Sequence, residues 1–416
     1  MQNPERQFHD SLRIPDIRFF IGSLGSFTFA SRALAVIIGF QIYRLTHSAL
    51  ALGWLGLIEA IPAISLVLFG GYVADHFNRK KILLITRSFS CLGGAALAFL
   101  SWRSGPELLT GLYTMIFLVG IARGFADPAG AAFEAQIVPQ RLTVNASSWI
   151  SSVWLSSAVL GPAVIGFIFD AWGAVGSYLI ITGGFMLSCV FILMVSPQTQ
   201  PLPERTESFL KSVGMGWHFV LKCQPLFAAM ALDLLAVLFG GAVALLPIYA
   251  DDILHVGVKG LGLLNAATFL GAMTISLIAT HRPPIARAGR NLLWVVAGFG
   301  CSILLFAFSR NFWLSMAALF LSGLFDGVSV VIRRSMVRLL SPNHLRGRIA
   351  ATNMIFIVAS NEIGAFESGM LASLIGAVPC VAVGGVVTLL VAALVATLAG
   401  ELRSLRFDPD TLEHLR

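Results

Sequence analysis

Apolar residues fall in about twelve long runs separated by short polar stretches, and within each run they are continuous rather than alternating. Approximate cores are Ile17–Ile42, Ala51–Val73, Ile82–Leu100, Leu108–Phe125, Ser148–Phe169, Ser177–Val195, Leu226–Tyr249, Leu261–Ala279, Leu292–Phe308, Trp313–Val331, Ile349–Leu371 and Val378–Leu398. Each is near the ~20 residues a helix needs to cross the hydrocarbon of a bilayer. Alternation, the mark of a membrane β-barrel, is missing, and a helix satisfies its own backbone within lipid. The pattern predicts an all-α membrane protein with twelve transmembrane helices.

The chain also repeats itself. Shifted by 203 residues, it superposes Gly120 on Gly323, Gly124 on Gly327, Pro139 on Pro342, Leu142 on Leu345, Ser157 on Ser360, Gly161 on Gly364, Gly166 on Gly369, and the Gly-Ala-Val at Gly173 on that at Gly376. These positions lie in or beside spans four and five against ten and eleven. Two pseudo-symmetric six-helix halves are expected, at 17–196 and 225–400, because internal repeats of this kind build transporters. The tails, 1–16 and 401–416, are too short to fold alone. The connector 197–224 opens with a proline-rich linker. It continues into a segment that places Phe209, Leu210, Val213, Trp217 and Val220 on one helical face with Lys211, His218 and Lys222 elsewhere, a pattern for a short interfacial helix.

Composition agrees with a membrane setting. Apolar residues make up 57% of 416 and charged residues 12%, with a mean hydropathy of +0.84, where soluble chains carry about 25% charge. The five cysteines are scattered with no metal-ligand spacing, so they read as packing residues, neither a disulfide framework nor a metal site. The first apolar run is too long for a signal-peptide core, and no cleavage is expected. With the N-terminus in the cytoplasm, 22 of the 28 Lys and Arg fall on cytoplasmic loops, counting Arg87 and Arg333 among them. Arg44, Arg103, Lys259 and Arg310 fall opposite, and Arg32 and Arg123 within spans. That asymmetry orients both termini to the cytoplasm. The net charge of +7 is thus topology spread over short loops, which argues against nucleic-acid binding.

Between spans two and three stands Gly-Gly-Tyr-Val-Ala-Asp-His-Phe-Asn-Arg-Lys-Lys, residues 70–81. The spacing of Gly71, Asp75, Arg79, Lys80 and Lys81 resembles motif A of the major facilitator superfamily, a gate on the cytoplasmic face. It departs from that motif at His76, where Arg or Lys is usual, and at Asn78, where Gly is usual, which implies a less tightly held loop and a pH-sensitive His76. The physics of the order is independent of the name. A glycine, here Gly71, lets two helices approach closely, and an acid at a helix end binds a neighbouring helix N-terminus and basic side chains. The second half keeps Gly271 but has Ile275 where the acid would stand.

Ser157 to Gly166, with Gly161, Pro162 and Gly166, resembles motif C of the antiporters in that superfamily; proline bends the helix and the glycines pack at the bend. Three further stretches, from Tyr43 to Pro62, Ala244 to Ala267 and Val337 to Pro379, are similar to the branch that contains the enterobactin exporter and the macrolide efflux proteins. The resemblance runs from about Arg18 to Leu398. It implies the major facilitator fold, in a bacterial cytoplasmic (inner) membrane. It also implies export by alternating access driven by a proton gradient, with substrate held between the halves.

Ionisable residues inside spans are costly and mark function. They are Arg32 in span one, Glu59 in span two, Arg123 in span four, Asp233 in span seven, Asp326 in span ten, and Glu362 and Glu367 in span eleven. Glu59, Asp326 and Asp233 are the candidates for proton coupling. Arg32, Arg123, Glu362 and Glu367 are candidates for the substrate cavity. Glu59 and Arg32 lie on adjacent helices and suit a switchable pair. Arg123 and Asp127, four residues apart, suit neutralisation on one helix face. Arg123 also stands where the motif B arginine of the superfamily falls, and the repeat sets it opposite Asp326.

The leading expectation is a monomeric secondary transporter that exports a small molecule rather than a membrane enzyme, because no His-Glu-x-x-His and no Gly-Lys dipeptide for a P-loop occurs. No cofactor is expected, and the energy must come from an ion gradient. The partners expected are a small amphipathic substrate, protons and the lipid bilayer. Within transport the alternative is an importer or facilitator; from another class it is a transporter-derived sensor or scaffold.

Overall fold

The computed structural model describes residues 11–196, 209–281, 286–342 and 345–407. The expected tails therefore lie partly outside the described residues, as does the proline-rich part of the linker, 197–208. The described chain is built of helices. The first four spans are α1 (Pro15–Thr46), α2 (Ala49–His76), α3 (Arg79–Arg103) and α4 (Glu107–Ile137). The helical stretch Thr143–Met194 divides at Gly173, whose φ of 66° and ψ of −166° suit only glycine, into α5 (143–172) and α6 (174–194). α7 (Phe209–Lys222) is the short connector helix. The remaining spans are α8 (Gln224–Phe239), α9 (Gly257–His281), α10 (Ala288–Phe308), α11 (Phe312–Leu340), α12 (Arg346–Ile375) and α13 (Ala377–Leu398). The turn between α12 and α13 is made at Gly376, φ 90°, so both Gly-Ala-Val stretches of the repeat serve as glycine turns between consecutive helices.

Local chemistry sets the boundaries. Pro15 opens α1, Asn78 caps α3 by accepting from the Lys81 N–H at 3.2 Å, and Asn311 caps α11 from Trp313 and Leu314. Span seven departs from the expected continuous run to Tyr249. α8 ends at Phe239, and after Gly240 and Gly241 the chain continues as a 3₁₀ turn (Ala242–Leu245), one helical turn (Leu246–Ile248) and a π turn (Tyr249–Ile253). Two adjacent glycines followed by Pro247 favour such a break.

The chain forms two compact units. The first comprises Met1–His47, Ile58–Arg205 and Gly257–Ala266, the second Ser48–Leu57, Thr206–Val256 and Ala267–Arg416. The first unit packs Ile17, Phe20, Leu83, Phe133 and Ile192 into its core. Buried polar seams stitch it: Ser23 donates to the Ser188 carbonyl at 2.7 Å, and Tyr178 bonds Gln41. The second unit packs Leu226, Leu232, Leu292, Ile332 and Met336. α7 joins that unit, with Val220 buried, Trp217 stacked on Phe356 at 5.3 Å and His218 and Lys222 exposed.

Two arginines assigned to loops are in helices and buried. Arg87 lies in the third turn of α3, donating to the Ser188 hydroxyl at 2.7 Å with its guanidinium 5.2 Å from the Phe27 ring. Arg333 lies in α11, which runs to Leu340, nine residues beyond the expected end of that span. Both sit near helix ends, where a side chain facing the bundle and one facing the loop look alike in sequence.

Candidate functional site

The site begins with glycines. A methyl on Gly120 of α4 would lie against the Glu59 carbonyl of α2, and one on Gly124 would sit 2.8 Å from the Leu66 Cβ. α2 and α4 therefore cross at backbone distance, which small residues permit. Arg123, between the two glycines, is drawn onto Glu59 and forms an ion pair with it. Its Nε lies 3.8 Å from the Asp127 carboxylate one turn on. The expected Arg123–Asp127 pair is present, and the partner of Glu59 is Arg123 rather than Arg32. These side chains are 27–53% exposed, so the group of two acids and one base is partly open rather than enclosed.

Arg32 stands elsewhere on the first unit. Its guanidinium lies 5.5 Å from the Trp154 ring of α5. The motif C glycine Gly161 packs at the same turn, its side facing the Phe29 carbonyl at 2.6 Å and the Arg32 Cβ at 3.4 Å. Farther along α5, a methyl on Gly166 would lie 2.7 Å from the Val258 carbonyl of α9, and one on Gly262 would press on the Pro162 carbonyl. An ion pair that the sequence did not suggest, Lys259 Nζ to Asp170 Oδ2 at 2.7 Å, closes this contact.

At the α2–α3 turn, Asp75 and Arg79 approach to 4.0 Å. Arg79 also donates to the carbonyls of Ala74 (3.1 Å) and Ala132 (3.3 Å) and to Gln136, and Lys80 donates to the carbonyls of Leu193 (3.0 Å) and Val195. Lys81 contributes its backbone to the Asn78 cap. His76 stacks on Tyr72 at 4.1 Å and bonds its carbonyl. The glycine role is corrected: Gly71 faces open space, and the close approach is made by Gly70, whose side would meet the Gly124 carbonyl and lies 3.0 Å from the Phe125 Cα.

In the second unit, Asp233 of α8 pairs with Arg333 of α11, their side chains 8% and 5% exposed. Arg333 Nε also donates to the Ser329 hydroxyl at 3.2 Å. Asp326, on the same face of α11, lines a small cavity with Asp233 and Ser329. Arg333 was missed as a functional residue; the signal available was its seven-residue spacing from Asp326, which puts both on one helix face. Glu362 and Glu367 of α12 are partly buried. A methyl on Gly56 would lie 2.9 Å from the Glu362 carbonyl, and Ser368 donates to Glu367 at 3.5 Å. Among the described residues no group of three or more His, Cys, Asp or Glu is placed to hold a metal ion.

Comparison with known proteins adds three findings. The sequence profile described as Major Facilitator Superfamily matches residues 19–309. The enterobactin exporter EntS of Citrobacter koseri is 27% identical over 381 residues, 90% of each chain, and that of Shigella flexneri matches to the same extent. Among solved structures, the POT family transporter PepTSo superposes with a TM-score of 0.76 at 13% identity, over 94% of this chain and 98% of that one. A POT family transporter in complex with 5-aminolevulinic acid gives a TM-score of 0.74 at 13% identity, over 93% and 96%. At such identity the likeness is one of fold.

Proposed function

The chain belongs to the major facilitator superfamily, and from that premise we propose that it exports a small amphipathic molecule, a siderophore or drug-like compound, in exchange for protons. The observation that carries this reading is the alignment with enterobactin exporters over 90% of both chains. The protein is a multi-pass membrane transporter, and its place is a bacterial inner membrane with both termini in the cytoplasm. The geometry supports a polar substrate contact on the first unit. The partly exposed group of Glu59, Arg123 and Asp127 presents two acids and a base to whatever approaches it, and Arg32 adds a cation flanked by Trp154. Glu362 and Glu367 are assigned to the same task on the second unit.

Glu59, Asp326 and Asp233 are the acids available for proton exchange. The segment from Asp75 to Lys81 acts as the cytoplasmic gate, anchored through Arg79 and Lys80 to carbonyls of α4 and the end of α6. Gly161, Pro162 and Gly166 form the bend on which α5 packs. The working unit is a monomer of two halves, 17–196 and 225–400, joined by 197–224.

The test is accumulation of siderophores, macrolides and dyes in efflux-deficient bacteria expressing the protein, with and without a protonophore. Lower accumulation of at least one compound, abolished by the protonophore, is expected. Raised accumulation overturns the direction, and unchanged accumulation of every compound overturns the substrate class.

A further inference from the structure

Among the described residues two clusters hold two acids and one base, and burial separates them. Glu59, Arg123 and Asp127 are partly exposed, within reach of a ligand or solvent that can balance their surplus charge. Asp233 and Arg333 are more than nine-tenths buried, out of reach of bulk water. Asp326 lies within electrostatic reach of both and has no hydrogen bond or ion pair among the described residues. With all three ionised the cluster is left at net −1 in apolar surroundings, a costly state.

We propose that Asp233, Asp326, Arg333 and Ser329 form a one-proton site in the second unit, and that transport is coupled to protons there; the coupling clause rests on the export reading above. Helical spacing sets Asp326, Ser329 and Arg333 on one face of α11, and Arg333 bridges the Ser329 hydroxyl and the Asp233 carboxylate. The cavity between α8, α10 and α11 measures about 10 Å³. That is room for about one water and for no organic substrate, so the ligand is a proton carried by water. α8 lines the cavity with Ala236 and Val237, and α10 with Val295, Val296 and Phe299; apart from the two acids none of the lining groups is ionisable, and Arg333 is the charged neighbour.

The step is an exchange of one O–H bond. A proton from bulk solution, relayed as hydronium through the cavity water, forms an O–H bond with a carboxylate oxygen of the pair as the hydronium O–H bond breaks and neutral water is left; the cluster becomes neutral, and Arg333 keeps one ionised acid as its partner. Loss of the proton restores two carboxylates competing for a single guanidinium. Such a competition ties the position of Arg333, and so the α8–α11 contact, to proton occupancy.

Infrared difference spectra of the full-length protein in lipid, taken between acidic and alkaline buffer, test the site without any substrate. The native protein is expected to show a protonated-carboxyl band that vanishes in alkali. Asp326→Asn should lose it, Asp326→Glu should keep it displaced, and Asp170→Asn, at an exposed acid paired with Lys259, should keep it unchanged. Monodispersity of Asp326→Asn on gel filtration shows that the fold survives. An undiminished band in both Asp326→Asn and Asp233→Asn overturns the site, and removal of the band by sodium at constant pH overturns its assignment to protons. Should the accumulation assay find export and Asp326→Asn retain it with full protonophore sensitivity, the coupling clause alone fails.

Discussion

Arg123 meets Glu59 because Gly120, one turn before it on α4, rests against the Glu59 backbone. The repeat places the same device in the second unit, where Gly323 and Gly327 bracket Asp326 and rest against Thr268 and Ala272 of α9. The bracketed charge is thus inverted, Arg123 in one unit and Asp326 in the other, on equivalent scaffolds.

Glu59→Gln removes the charge from the first of these crossings and leaves Arg123 with Asp127. Because the pair is about one-third exposed, its loss should alter stability by no more than about 1 kcal/mol. Substrate handling should suffer more: an apparent KM raised at least tenfold corresponds to about 1.4 kcal/mol of lost interaction. Uptake by everted vesicles across a concentration series reads this, and an unchanged KM removes Glu59 from the substrate surface.

Arg333→Leu should be far more damaging to the fold. Breaking a buried ion pair from one side strands the other charge, at a cost of about 3–5 kcal/mol. The double variant Asp233→Leu with Arg333→Leu should recover most of that stability, since no charge is then buried alone. Thermal unfolding in detergent of both singles and the double decides it; a double as unstable as the worse single would mean that packing, not charge, is lost.

Much of the fold was legible because apolar run length and glycine repetition are one-dimensional signals. Twelve spans, the α7 connector and the paired glycine turns at Gly173 and Gly376 follow from them. What was not legible depends on the direction a side chain takes around its helix. Arg87 and Arg333 stand where a loop anchor would, and only helix rotation turns them inward. Glu59 had basic residues on two neighbouring helices to choose from, and the α2–α4 crossing at Gly120 decides for Arg123. The break after Gly240 was invisible to hydropathy, because the residues beyond it remain apolar.

The same azimuthal point separates Gly70 from Gly71. Alanine at Gly70 would press a methyl onto the Gly124 backbone, which cannot rotate away, and should cost about 1–3 kcal/mol. Alanine at Gly71 meets nothing within 4 Å and should leave stability level or raise it by up to about 1 kcal/mol, since alanine favours a helix. Melting temperatures of the two variants check this, and equal losses would show that Gly71 also lies at a packed surface.

The contact between α5 and α9 yields a prediction about motion. Gly166 and Pro162 bring α5 onto the first turns of α9, and Lys259–Asp170 closes the contact from its rim. Both charged side chains are about half exposed, so Lys259→Gln should change the melting temperature little and that change should fade further in high salt. Gly166→Leu, which forces a side chain against the Val258 carbonyl, should cost about 1–3 kcal/mol. If alternating access requires this contact to part in each cycle, a cysteine pair replacing Asp170 and Lys259 should block transport when oxidised and release it when reduced. Full transport in the oxidised state would mean that α5 and α9 travel together, and would move the opening to another pair of helices.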